Sequence, residues 1–410
     1  MGMKKYKFIS ANEYCVRVFD GTHDSPKPCE KGYKLLTSKN ILAGELDKTS
    51  AYYISENDYN DINQRSKVQQ YDILFSMIGS VGNVCFVKDS NIDFAIKNMG
   101  VFSCENKEKA LYLYYYLQSP FAKKMIDSYL NGAVQKFLGL ERLRNFPILE
   151  YSTDKQKIAA ILSSLDDKIA LNKKINAKLE AMAKRLYDYW FVQFDFPNGD
   201  GKPYKTSDGK MVWNEVLKRE IPEGWEVKSI FEASDVLYGY PYATEPFDED
   251  NLELSKKPYK VVRIRDIQNN SFSAKTTEVV DEKYKTNQND LLVGMDGYFH
   301  MNFWFSNNDY INQRIVRFRK TLISTLILNF QIKPFIKFKE TMAKGSTVGH
   351  LSDKDLKQLF IAIPNDNSIS DRFDSILNMI TKNNSEIQKL TELRDRLLPL
   401  LMNGQVEVEE

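Results

Sequence analysis

DDKIALNKKINAKLEAMAKRLYDYW, Asp166 to Trp190, decides how this chain is built. Around it Ile158, Leu162, Leu165, Ile169, Asn172, Asn176, Leu179, Ala183, Leu186 and Trp190 alternate steps of four and three. That spacing is the narrow seam of a coiled coil rather than the broad apolar face of a helix laid on a core. Thr153 or Asp154 stands where a cap is needed. A narrow seam wants a single partner helix, and Phe373, Ile376, Ile380, Asn383, Ile387, Leu390, Leu397 and Leu401 repeat the spacing near the end of the chain. Asparagine interrupts both stripes, at Asn172 and Asn176 in one and at Asn383 in the other. Two readings fit these residues: polar contacts that set the register of an antiparallel pair, or amides left to water where two helices splay.

The matched stripes prompt a search for a repeat of the whole chain. YKLLTSKNI from Tyr33 aligns with YKVVRIRDI from Tyr259, and QYDILFSMIG from Gln70 with QNDLLVGMDG from Gln288. NGAVQKFLGLERLRNFPI from Asn131 then aligns with KGSTVGHLSDKDLKQLFI from Lys344, and a long helix follows each. The spacing predicts an α+β fold: two similar mixed α/β domains, each followed by a long helix with a coiled-coil seam, in a pseudo-two-fold internal repeat. The expected boundaries are 1–153 for the first mixed domain, 154–192 for the central helix and 193–224 for a linker. The second mixed domain takes 225–366 and the C-terminal helix 367–405. PNGDGKP and EIPEG carry the turn signals of that linker, and Pro197 and Gly199 stand where a calcium loop needs oxygen ligands.

At 410 residues with 42% hydrophobic content the chain is long enough for two cores. A formal net charge of +2 excludes a uniformly basic surface, so a polyanionic partner must meet local patches. Cys15, Cys29, Cys85 and Cys104 have no CxxC spacing and the only histidines are His23, His300 and His350, which argues against a zinc site or a disulfide scaffold and fits a reducing compartment. MGMKKYKF has no apolar signal core and no run of about 18 apolar residues occurs, so a cytoplasmic protein with no membrane association is expected.

Strand patterns run through ILFSMIGSVGNVCFV (Ile73 to Val87), YKVVRIRDI and INQRIVRFRK (Ile311 to Lys320). On a strand, residues two apart share a face, so Arg263 with Arg265 and Arg317 with Arg319 each form a basic side, either solvated or turned to an anion. Tyr298, Phe299, Phe303, Trp304 and Phe305 read as core rather than as stacking platforms. GSVG at Gly79 lacks the ending of a phosphate loop and marks a tight turn, and Asp281, Glu282 and Lys283 read as an exposed loop rather than a nuclease cluster. No nucleophile and base pair stands out, so no enzyme activity is expected of this chain alone.

LSSLDDKIALNKKINAKLEAMAKRLYDYWFVQFDFPNGDGKPYK, followed by MVWNEVLKREIPEGWEV, resembles the central conserved region of the DNA specificity subunit of type I restriction-modification enzymes. DGTHDSPK (Asp20 to Lys27), TSKNI (Thr37 to Ile41), MDGYF with INQR (Met295 to Arg314) and ELRDRLLPLLMNGQV are similar to other parts of that family. The resemblance implies a noncatalytic reader of double-stranded DNA. Each mixed domain would be a target recognition domain for one half of an asymmetric bipartite site, and the two long antiparallel helices, paired as a coiled coil and each of about 37 residues and about 55 Å, would separate the domains. It also implies two methyltransferase subunits docked on the helices and two restriction or translocase subunits beside them. No cofactor then belongs to this chain, and S-adenosylmethionine, ATP and Mg2+ belong to the partners.

Residues suited to base edges or phosphates are Thr22, His23, Lys39, Asn40, Arg65, Lys67, Gly79, Ser80, Asn83, Gln135 and Lys136 in the first domain. Arg263, Arg265, Asp296, Tyr298, Asn312, Gln313, Arg314, Ser346 and Thr347 hold the matching places in the second. His23 has a second reading as a brace for its loop. The second copy has Tyr238, Gly239 and Tyr240 in place of DGTH, so the half-sites should differ. A rival class is a free-standing DNA-binding or scaffold protein whose coiled coil recruits a different partner.

Overall fold

The asparagine-interrupted stripes form the two longest helices, Lys155–Tyr187 of 33 residues and Asn367–Met402 of 36. They belong to a computed structural model that describes residues 7–42, 44–130, 137–150, 155–242, 258–343 and 349–406. Thr153 and Asp154, the capping candidates, lie outside the described residues. Contacts gather into two units, one made of residues up to Lys168 with those from Leu390 on, the other Ile169–Lys389.

In the first unit a four-stranded antiparallel sheet runs in the order Arg17–Asp20, Met99–Ser103, Ile73–Ser76, Val84–Phe86. Its strand Ile73–Ser76 is buried on both faces, which is why ILFS reads as a continuous apolar run instead of alternating. Ile73 and Phe75 face a core shared with Tyr112, Tyr116 and Phe146, while Leu74 faces another with Leu36, Phe94 and Val101. A three-stranded sheet places Tyr33–Thr37 between Tyr52–Ile54, antiparallel, and Phe94–Lys97, parallel. Helices Lys107–Gln118 and Pro120–Leu130 complete the unit. They meet at Pro120, which suits the first position of a helix because its missing N–H needs no partner there. Ile158, Ala159 and Leu162 enter the same core with Leu401 and Met402. Beside them Asp166 accepts hydrogen bonds from Arg394 Nη1 at 2.8 Å and from the Tyr115 hydroxyl at 2.7 Å.

The second unit repeats this topology. Its four-stranded sheet runs Ser234–Tyr238, Ile315–Lys320, Leu291–Gly294, Met301–Phe303, and its three-stranded sheet sets Tyr259–Val262 between Ala274–Thr276, antiparallel, and Tyr310–Ile311, parallel. The duplication reaches single backbone torsions: Tyr71 and Asn289 both have φ of 72°. Asp72 then accepts from Gln69 N at 2.7 Å and Asp290 from Asn287 N at 2.6 Å. The units differ in their helices, since one 19-residue helix, Thr325–Ala343, with Pro334 inside it, replaces the pair at 107–130.

Within the second unit the helix pair is antiparallel, because Asn172 donates to Glu386 Oε2 at 2.9 Å while Asn176 donates to Asn384 Oδ1 at 2.8 Å and to Ile380 O at 3.3 Å. Asn383 Nδ2 in turn donates to Asn176 Oδ1 at 2.8 Å. Asn172 and Asn176 are only 2% and 5% exposed, so they are paired inside the seam and not left to water. The central helix closes in a π turn, Asp188–Val192, whose wider winding lets the neighbours Trp190 and Phe191 both enter the core against Phe373.

Three sequence expectations need correction. The stretch 193–224 is no loose linker: Phe194, Phe196 and Ile221 are buried with Trp225 in the second unit's core, and Met211–Asn214 pairs with Arg219–Pro222 as a hairpin. Its turn residues hid this, since they separate the apolar positions without removing them. YKVVRIRDI leaves the strand at Val262, and Arg263 precedes a short helix, Ile264–Ile267, so Arg263 and Arg265 are not neighbours on a strand face. Arg317 and Arg319 do share a strand, yet they turn inward to Asp235 and Asp290, with Arg317 2% exposed. No described helix is long and apolar enough to cross a membrane.

Candidate nucleic-acid interface

Three of the first unit's candidate residues, Thr22, His23 and Arg65, meet where DGTH reaches the strand ends. A Cβ on Gly21 would stand 2.4 Å from Ile96 O, so only glycine lets the chain pass here. Gly21 N donates to Met99 O at 2.8 Å and Thr22 N to Ile96 O at 3.0 Å, which leaves Thr22 buried and delivers His23 to the surface. Both ring nitrogens of His23 are engaged, Nδ1 with Asn98 Oδ1 at 2.8 Å and Nε2 with Asp20 Oδ2 at 3.0 Å. Arg65 Nη2 donates to Gly21 O at 3.2 Å and stands 3.8 Å from Asp20 Oδ1, so its guanidinium steadies the same turn while most of the side chain stays exposed. His23 is thereby tied to both Asp20 and Asn98.

Beside this turn Thr37, Ser38, Lys39, Ile78, Gly79, Ser80 and Asn98 line a concavity of about 460 Å³. Lys39, Gly79 and Ser80 are brought together there, and Asn98 ties the groove to His23. Gly79 at φ 75° and Gly82 at φ 95° make the tight turn between strands Ile73–Ser76 and Val84–Phe86. Asn40 lies beneath: it accepts from Thr37 N at 2.7 Å and donates to Asp47 O at 2.8 Å and Ser50 Oγ at 3.0 Å, which occupies its amide in the scaffold. Lys67 and Asn83 are exposed, and Asn83 Nδ2 reaches Ile41 O at 3.5 Å. Gln135 and Lys136 lie outside the described residues. Sequence reasoning passed over Ile78, Asn98 and Phe137. Asn98, at φ 53°, is the single residue joining strands Phe94–Lys97 and Met99–Ser103.

The second unit builds the same place from different side chains. A Cβ on Gly239 would stand 2.1 Å from Asn312 O, and Gly239 N donates to Ile315 O and Tyr240 N to Ile311 O, each at 2.9 Å. Burial, and then the 2.7 Å hydrogen bond to Asp353, push the Tyr238 hydroxyl above its ordinary value, so it donates as a neutral phenol. Arg263 Nε and Arg265 Nε both donate to Ser273 Oγ, at 3.0 and 2.9 Å. Asp296 sits between Arg314 Nε at 3.2 Å and His350 Nδ1 at 2.6 Å. Tyr298 is exposed and stacks beside His300 at 6.1 Å, Gln313 is exposed, and Asn312 is half-buried. Ser346 and Thr347 lie outside the described residues.

The sequence pattern of the type I restriction modification DNA specificity domain matches residues 27–181 and 222–392. The chain is 28% identical over 326 residues to the MjaIX specificity subunit, a type I restriction enzyme subunit of Methanocaldococcus jannaschii, spanning 73% of this chain and 69% of that one. With the HindI specificity subunit of Haemophilus influenzae the identity is 24% over 314 residues, 62% of this chain and 67% of that one. Its fold is similar to the crystal structure of a type I restriction-modification S subunit from M. genitalium, with a TM-score of 0.56 at 15% identity over 97% of this chain and 96% of that one.

Proposed function

The chain belongs to the type I restriction-modification DNA specificity family, and on that premise we propose that it is the noncatalytic subunit that selects an asymmetric two-part target in double-stranded DNA. The observation that carries the reading is a duplicated scaffold with unlike side chains at matching places: Thr22 against Tyr240, Lys39 against Arg265, Ile78 against Asp296. One backbone used twice with different donors and acceptors suits two readers of different half-sites. The helices of 33 and 36 residues, each about 50 Å long, suit a spacer that leaves unread bases between the half-sites.

Methylation and cleavage then fall to partners, two methyltransferase and two restriction subunits, which bring S-adenosylmethionine, ATP and Mg2+. On the central helix Ile175, Met182 and Tyr189 are exposed large side chains, interleaved with Lys174, Lys178 and Arg185. An apolar stripe flanked by cations supports docking of a methyltransferase subunit there. The proposal is tested by selecting duplexes from a randomised pool with the full chain and identifying copurifying proteins. Two unlike half-sites at a constant gap, with a methyltransferase in the complex, are expected; a contiguous site and a different partner would favour the free-standing DNA-binding reading.

A further inference from the structure

At one place the two copies keep the backbone and exchange the chemistry. In the first unit Ile78 and Phe137 pair as an isolated antiparallel bridge, Leu138 N donates to Met77 O at 3.0 Å, and Gly79 follows with φ of 75°. In the second unit Asp296 and His350 pair in the same way, Leu351 N donates to Met295 O at 2.7 Å, and Gly297 follows with φ of 69°. The scaffold therefore offers two neighbouring side chains at the same edge of each unit. In the first both are large, apolar and unusually open, Ile78 42% and Phe137 45% exposed, with Ile78 on the wall of the 460 Å³ concavity. In the second they are a carboxylate and an imidazole, joined by Arg314 from the connection 312–314 that stands where Asn98 alone joins the strands of the first unit.

We propose that this place makes the two half-sites different: Arg314, held by Asp296, which His350 in turn engages, reads a guanine, while the Ile78 and Phe137 pair reads a thymine through its methyl group. This rests on the DNA-reading function proposed above. Guanine offers N7 and O6 side by side in the major groove, and the arginine fork meets both at once. Asp296 takes the Nε of Arg314, and among the described contacts the two Nη groups have no protein partner, which leaves the fork for the base. The carboxylate holds a long side chain in advance, so less conformational freedom is lost when the base arrives. Asp296 already meets one donor on each oxygen, His350 at Oδ1 and Arg314 at Oδ2, so the group this place presents with no protein partner among the described contacts is the arginine fork. Ile78 and Phe137 have no side-chain donor or acceptor, and the one base-edge group in the major groove that rewards apolar contact is the thymine methyl.

The test is selection from a randomised duplex pool with the full chain, the Arg314→Ala and Asp296→Asn variants, and an Ile78→Asn, Phe137→Ser double variant. The wild-type motif should hold a guanine in one half and a thymine in the other. Arg314→Ala should lower the guanine preference by about ten- to a hundredfold. Asp296→Asn should lower the same preference less, and the double variant should lose only the thymine. In each case the untouched half-site serves as the control for folding. A motif lacking that guanine, a guanine preference unmoved in Arg314→Ala, or a thymine preference unmoved in the double variant overturns the proposal while leaving the two-part reader intact. A pool that yields no two-part motif overturns the two-part reader proposed above, and this assignment with it.

Discussion

Replacing Asn176 and Asn383 by alanine, singly and together, tests whether the buried amides tie the antiparallel helices to one register. Asn176 makes three hydrogen bonds: to Asn384 Oδ1 at 2.8 Å, to Ile380 O at 3.3 Å, and from Asn383 Nδ2 at 2.8 Å. At about 1 kcal/mol net for each, Asn176→Ala should cost about 2 kcal/mol, less than the full sum because Asn383 and Asn384 are half-buried and water can reach them. Asn383→Ala should cost about 1 kcal/mol by the same reckoning. The double variant should then cost about 1 kcal/mol less than the two singles added, since the bond they share is lost once. Amide hydrogen exchange along residues 170–184 and 376–388 reads this locally, where whole-chain denaturation would blend two units. A coupling of about 1 kcal/mol is about a fivefold departure from additive exchange rates. Additivity within about 0.3 kcal/mol would refute the idea that these amides act on each other across the seam.

Burial pushes the Asp72 carboxyl up to about 6, against the hydrogen bonds from Ser103 and Gln69 N and the charge of Arg17. Because the folded value lies above the ordinary one, the stability that its proton supplies is full below about pH 4 and lost as pH rises through about 6. Asp72→Asn should therefore stabilise the first unit above that range by up to about 3 kcal/mol and change little below it, as thermal melts followed by a probe within that unit at about pH 4 and about pH 8 would register. Gly21→Ala and Gly239→Ala push a Cβ against a backbone carbonyl at 2.4 and 2.1 Å, and each should destabilise its own unit by about 2–4 kcal/mol in denaturant titrations followed by local probes. Lys39→Ala and Arg265→Ala should weaken binding to all duplexes alike and each flatten the plot of log affinity against log salt by about one. A change confined to one base position would show that the side chain reads sequence.

The fold was legible because three independent signals agreed: the four-and-three spacing of the stripes, the internal repeat and the strand patterns around Ile73 and Leu291. What the residues could not show was depth. Arg317 and Arg319 follow the alternation of an exposed strand, and only the tertiary placement of Asp235 and Asp290 turns them inward. Phe194 and Phe196 stand among turn residues, and their burial follows from Trp225 folding back over them. At the candidate interface, residues named from motifs, Lys39 and Ser80 among them, do line one groove. Asn98 and Phe137 escaped because their neighbours come from distant strands, and Asn40, which looks like a base reader, is taken up by its own loop. Hydrogen bonds across more than about 50 residues, such as His23 to Asn98 or Tyr238 to Asp353, leave no local trace in a sequence.

Two independent readers on one chain should choose two unlike half-sites. Sequencing modified bases in DNA from cells that carry this chain with its methyltransferase partner tests it most directly. Modification should be confined to one asymmetric motif of two short, different half-sites at a fixed gap, and should disappear when the chain is deleted. Modification at a single uninterrupted motif, at two identical half-sites, or without regard to the chain would contradict it.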